Sequence, residues 1–196
     1  EGEWTKVDNL KPAKGFYPSK VHRMILPTDF EGDGDIDLLF VGDSGLYRFF
    51  NEDDGEEWKF EALGPKAWYH SAKLHDIDGD GDNDLVVGTR KSVLVGDNVD
   101  GKGTFGFETV FKGPAEKTVS SGAVAPVDYD GDGDTDLAVA AMSNGYWNVL
   151  TYDDEDYEAK LVDTEQLGSA FELIAADIDG DGDKDLFAAL GSKVVW

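Results

Sequence analysis

The sequence predicts an all-β fold, four small antiparallel sheets set in a ring as a β-propeller, and three observations predict it. First, one stretch, DIDGDGDNDLVVG at residues 76–88, has three further copies: DFEGDGDIDLLFVG from Asp29, DYDGDGDTDLAVA from Asp128 and DIDGDGDKDLFAAL from Asp177. Their first aspartates lie 47, 52 and 49 residues apart, and self-similarity at such a period marks a repeat architecture. Second, the segment after each copy is short, apolar and β-prone (LLFVG, LVVGT, LAVAA), the pattern of a buried strand. Third, 40% apolar residues, 24 glycines and 12% aromatics describe a globular β-rich chain and not a disordered acidic one.

Taken in order, residues 1–8 (EGEWTKVD) alternate like a lone strand, and residues 9–20, with two prolines, form a connecting loop. Each repeat then reads as a strand running into the acidic loop, a strand leaving it, a third after a tight turn and a fourth of polar-aromatic character. The first repeat places these at 21–28, 36–42, 45–51 and 56–62, the second at 69–75, 84–89, 91–97 and 104–111. The third gives 119–127, 136–142, 145–152 and 156–162, and the last 170–176, 185–190 and 192–196, one strand short. Trp4 in EWTKV corresponds to Trp58 in EWKFE and Phe107 in FGFET, so residues 2–8 are expected to complete the last sheet and close the ring within one domain, 1–196. The alternative layout is half of an eight-bladed ring formed by two chains, so monomer and homo-oligomer both stay open.

Each loop, at 29–37, 76–84, 128–136 and 177–185, carries acidic residues at positions 1, 3, 5, 7 and 9 and glycine at 4 and 6. Like charges about 4 Å apart cost about 1 kcal/mol even in water, so a cation is expected among them. All-oxygen donors suit Ca²⁺, which takes six to eight oxygens, whereas Zn²⁺ asks for His or Cys. Glycine at position 6 permits the sharp turn that folds positions 1, 3 and 5 around one point. An EF-hand is excluded, because its bidentate glutamate at position 12 is replaced by Phe40, Val87, Val139 and Ala188 and no helices flank the loops. Position 9 is left to close the shell, and position 7 is expected to offer its backbone carbonyl.

The motif D-x-D-G-D-G-D-x-D-L before a short strand, at a period near 50, resembles the FG-GAP/VCBS repeat family, calcium-binding propellers related to those of integrin α-subunits and several lectins. The resemblance implies about four Ca²⁺ ions. Its ligands fall on Asp29, Glu31, Asp33 and Asp37 with Asp35 through its carbonyl, and on Asp76, Asp78, Asp80 and Asp84 with Asp82. They fall likewise on Asp128, Asp130, Asp132 and Asp136 with Asp134, and on Asp177, Asp179, Asp181 and Asp185 with Asp183. Glu31 departs from the usual aspartate by one methylene, and four repeats are fewer than the family's typical seven.

Twenty of the 42 acidic residues sit in these loops, so 22 acids against 17 bases remain and most of the −25 charge belongs to the expected metal sites. So negative a chain is a poor nucleic-acid partner, and no apolar run is long enough for a spanning helix. With no cysteine, disulfides and thiol chemistry are absent, and calcium loops of weak affinity fill where calcium is about millimolar, which points outside the cell. The start at Glu1, without a methionine or signal peptide, suits a processed protein or an excised domain.

The end of the ring opposite the loops is expected to carry Phe16, Tyr17, Lys66, Trp68, Tyr69, His70, Arg90 and Lys91, aromatic planes beside cations that suit anionic sugars. The structural reading of Trp68 and Tyr69 is filling between blades, and the same holds for Tyr146, Trp147 and Trp196. The leading expectation is an extracellular, lectin-like or adhesive module binding glycans or a partner protein surface. A structural subunit of an extracellular assembly is the second. A polysaccharide lyase or its accessory domain, with Tyr69 and His70 abstracting a proton, is the third, and nothing else in the chain resembles catalytic machinery.

Overall fold

A computed structural model describes residues 22–52, 57–112, 121–141, 147–153, 156–163 and 170–195. Fifteen strands occupy them, and among the described residues there is no helix. The first sheet is β1 (His22–Thr28), β2 (Asp37–Gly42), β3 (Gly45–Glu52) and β4 (Glu57–Leu63). The second is β5 (Tyr69–His75), β6 (Asp84–Thr89), β7 (Ser92–Asn98) and β8 (Phe105–Lys112). The third is β9 (Ser121–Val127), β10 (Asp136–Ala141), β11 (Trp147–Asp153) and β12 (Asp156–Asp163). The fourth is β13 (Ala170–Ala176), β14 (Asp185–Leu190) and the short β15 (Val194–Val195). Every sheet is an antiparallel meander with its strands in chain order. The all-β, four-sheet architecture is propeller-like. Closure by residues 2–8, together with Phe16, Tyr17, Tyr146 and Trp196, lies outside the described residues.

Successive sheets pack face to face, and strand alternation decides which side chains meet. In the second sheet Ala72, Leu85, Val87 and Leu94 join Leu39, Val41 and Leu46 of the first. Val86 and Val93, on the other face, join Val124, Leu137, Val139 and Leu150 of the third. That two-sided burial is why β6 is buried at every position and reads as an unbroken apolar run. Each fully buried Leu or Val contributes roughly 1.5–3 kcal/mol. Between the third and fourth sheets the core narrows to Ala123, Ala125, Ala138, Ala140, Ala170 and Ala188, with Leu173 and Trp147 filling the remaining space. Small residues are needed there because first strands lie against one another, β1 by β5, β5 by β9 and β9 by β13. An ion pair from Lys73 on β5 to Glu172 on β13 ties the second sheet to the fourth past the inner strand of the third.

One regular feature has no signature in the sequence. Every first strand has a register shift near its start, which leaves Arg23, His70, Gly122 and Phe171, each six residues before the first loop aspartate, as the extra residue of a β-bulge. A bulge bends and twists its strand, which suits first strands packed against one another.

Candidate metal centres and recognition surface

The acidic loops join first to second strands, so each lies at the same end of its sheet. Their backbones are shaped by their own carboxylates. At position 1, Asp76 accepts N–H bonds from Gly79 (2.8 Å) and Gly81 (3.1 Å), and Asp29 accepts from Gly32 (2.7 Å) and Gly34 (3.0 Å). Asp177 repeats this with Gly180 and Gly182, and Asp128 takes Gly131 at 2.8 Å. At position 6 the φ angles are +99° for Gly34, +100° for Gly81, +99° for Gly133 and +103° for Gly182, a region L side chains avoid. At position 5, Asp33, Asp80, Asp132 and Asp181 each accept the N–H of position 7, at 2.9–3.0 Å.

Position 9, expected from the sequence only to close a metal shell, has a second role. Asp37, Asp84 and Asp136 are buried. Their Oδ2 atoms accept the N–H of Phe30 (3.1 Å), Ile77 (2.9 Å) and Tyr129 (2.8 Å) inside the loop. Their Oδ1 atoms accept, at 2.8 Å, the N–H of Asn51, Asn98 and Tyr152 on the third strand. One side chain thus fixes the loop to the third strand of its own sheet. Asp185 takes Ile178 N–H at 3.1 Å in the same way.

Positions 1, 3 and 9 converge in three of the four loops. Asp76, Asp78 and Asp84, then Asp128, Asp130 and Asp136, then Asp177, Asp179 and Asp185 each present carboxylate oxygens within 4.8 Å of one another. Position 5 is turned toward position 7 and is not in these groups. Asp29, Glu31 and Asp37 do not form such a group among the described residues. Burial and charge crowding raise several carboxylates in and beside the loops. Asp84 and Asp130 are pushed above the usual carboxylate range, first by desolvation and then by neighbouring aspartates, with the N–H bonds of Asn98 and Ile77 opposing the rise at Asp84. Asp82 is raised by desolvation and by Asp80 and Asp84. Asp97 on β7, thirteen residues after Asp84, was missed from sequence, and it too is raised by desolvation and by Asp84, Asp78 and Asp80. Hard oxygens with excess negative charge fit a hard divalent cation. Glu31 is pushed up to about 7 by desolvation and by Asp37, with Arg48 acting in the opposite sense.

At the opposite end of the second sheet, Lys66, Trp68, Arg90 and Lys91 come together around a hollow of about 440 Å³, floored by Leu94 and edged by Thr89, Ser92 and Thr109. Trp68 is half exposed, its carbonyl accepts the Arg90 N–H at 3.0 Å, and the Arg90 guanidinium lies 4.8 Å from the indole centroid. Thr89 Oγ1 accepts the N–H of Lys91 (3.1 Å) and Ser92 (3.0 Å), which holds the turn carrying Arg90 and Lys91. No carboxylate lines this hollow among the described residues. A second hollow of about 480 Å³, at the loop end between β5, β9 and β13, sets Lys73 and Lys184 against Asp128 and Asp134, so its charges offset.

Tyr69 does not belong to that surface. It is fully buried, its hydroxyl donates to the Pro65 carbonyl, and burial pushes its phenol up to about 12. It is a packing residue, because the first strand turns it into the core between the first two sheets. Of the Tyr69 and His70 pair considered for proton abstraction, Tyr69 is therefore closed off from solvent. His70 is half-buried and does not line the hollow. Trp68, by contrast, is half exposed and belongs to none of the buried clusters among the described residues.

The FG-GAP-like repeat family matches three overlapping stretches, residues 29–87, 76–139 and 128–188. The chain belongs to the FG-GAP-like repeat family. Each FG-GAP-like unit opens on the first loop aspartate of one sheet and ends in the second strand of the next, so the unit spans a sheet-to-sheet junction and not one sheet. No curated protein matches the chain. Among solved structures, it is similar to BBS1N in complex with ARL6DN, soaked with lead, at 14% identity over 91% of this chain and 67% of that one, with a TM-score of 0.50. It is also similar to an Agrocybe aegerita lectin that recognises non-reducing terminal N-acetylglucosamine, at 16% identity over 87% of this chain, with a TM-score of 0.42. The chain spans 61% of the lectin's length.

Proposed function

We propose that this FG-GAP-like chain is an extracellular binding module, a propeller stabilised by calcium in its acidic loops, that recognises glycans bearing carboxylate or sulfate groups. The observation that carries it is the hollow at Lys66, Trp68, Arg90 and Lys91, three cations and a half-exposed indole without a carboxylate, on a chain of net charge −25. A sugar ring stacks its C–H face on the indole, while the anionic substituent meets the cations, each step drawing on the chemistry of that residue type. Calcium acts on stability and not on the ligand, since the loops lie at the other end of the second sheet.

Titration calorimetry with a polyuronide and with its neutral counterpart, in calcium, tests this reading. Binding of the acidic polymer alone is expected, weakening as salt is raised and falling at least tenfold in Trp68→Ala or in Arg90→Ala with Lys91→Ala, with melting temperatures unchanged. Equal binding of the neutral polymer, or wild-type affinity in those variants, would sink the assignment.

A further inference from the structure

The first loop differs from the other three in its surroundings as well as in its sequence. In register with the second strand, the third strand carries Val95 opposite Val86 and Val149 opposite Ala138 in the second and third sheets, both apolar. In the first sheet the same place, opposite Leu39, holds Arg48. Arg48 is 5% exposed. Its Nη1 donates to the carbonyls of Gly103 (2.6 Å) and Lys102 (3.3 Å), and its Nη2 lies 2.6 Å from Glu61 Oε1. The guanidinium stacks 3.6 Å from the Phe50 centroid and 5.5 Å from that of Phe30, a residue of the first loop itself. Its Nε is buried without a hydrogen-bond partner.

A guanidinium that cannot leave or deprotonate is a permanent positive charge under this loop. Its ion pair is with Glu61 on β4, and beside Phe30 of the loop its charge opposes the entry of a divalent cation into the same space. The geometry agrees, because positions 1, 3 and 9 converge in the second, third and fourth loops and not in the first, where position 3 is Glu31. We infer that the chain binds three calcium ions and not four, the buried guanidinium of Arg48 beside the first loop disfavouring a metal there. This rests on the proposal that the acidic loops bind calcium.

Native mass spectrometry and equilibrium dialysis with calcium alone, on the full chain, count the ions. Three per chain are expected. Neutralising loop position 3 should reduce the count to two in Asp78→Asn, Asp130→Asn and Asp179→Asn, and leave it at three in Glu31→Gln. Four ions in the wild type, or one lost in Glu31→Gln, would overturn the inference, whereas no bound calcium at all would instead overturn the metal reading itself. A second variant tests Arg48 directly: Glu31→Asp with Arg48→Val, restoring what the other sheets have, should raise the count to four. A count that stays at three in a variant whose circular dichroism is native would remove Arg48 from the explanation.

Discussion

At Asp136 one buried carboxylate takes two backbone N–H groups, from Tyr129 and Tyr152, each at 2.8 Å. An asparagine can accept only one of them and points an amide donor at the other, and a buried group left unpaired costs about 1–3 kcal/mol. Asp136→Asn is therefore expected to lose about that much in urea unfolding even with chelator present. Asp130→Asn, in the same loop but exposed, should not destabilise under chelation at neutral pH, where it relieves carboxylate repulsion, and should destabilise only with calcium. The titration shifts carry a pH dependence whose sign is opposite to that of an ordinary ion-paired carboxylate. Asp82, Asp84 and Asp130 are raised above 3.8 and Glu31 from 4.5 to about 7, so the metal-free fold holds protons more tightly than the unfolded chain. Its stability is complete below the unfolded values and declines as pH rises through the folded ones. Thermal melts in chelator should show a lower midpoint at pH 7.5 than at pH 5, and calcium should reduce that slope without abolishing it, because Glu31 lies in the loop inferred to bind none; a midpoint that rises with pH in chelator would contradict the shifts.

At the scale of the element, the loop and third strand of a sheet behave as one unit, because the position 9 carboxylate bonds both. The β7–β8 turn extends that unit to the neighbouring sheet. Gly103, at φ +82°, gives its carbonyl to Arg48, and a Cβ there would fall 1.9 Å from Arg48 Nη1. Gly103→Ala combines a strained backbone with a displaced buried cation and should cost about 2 kcal/mol or more, seen as a lower midpoint in chemical unfolding. Tyr69→Phe removes only the hydroxyl bond to Pro65, for about 1 kcal/mol, and should leave saccharide binding unchanged. Loss of binding in that variant would return Tyr69 to the recognition surface.

For the molecule as a whole, calcium at about ten times its dissociation constant would contribute about 1.4 kcal/mol per site, so the three inferred sites would contribute ~4 kcal/mol, a large share of a domain's net stability. Chelation should lower the melting midpoint markedly and adding calcium back should restore it; an unmoved midpoint would exclude the stabilising role. Much of the fold was legible in the chain. The period of the acidic motif and the alternation around it locate all fifteen described strands within a few residues, since both are local patterns that neighbouring residues enforce. The cations and indole of the hollow at Lys66, Trp68, Arg90 and Lys91 were legible for the same reason, as turn residues at the end opposite the loops. Other features were not local. Tyr69 and Trp68 are adjacent and alike in sequence, yet one is buried and one half exposed, because the fate of each depends on the face of the first sheet that packs against it. Arg48 meets Lys102 and Gly103 across 54 and 55 residues, and no spacing rule in the first repeat announces that partner. The sequence by itself thus determined the number of sheets, their strands and the acidic loops, all properties of short-range order. Only the tertiary structure decided which carboxylates converge, which aromatic reaches solvent and which loop lies beside a buried cation, because those depend on the packing of one sheet on the next.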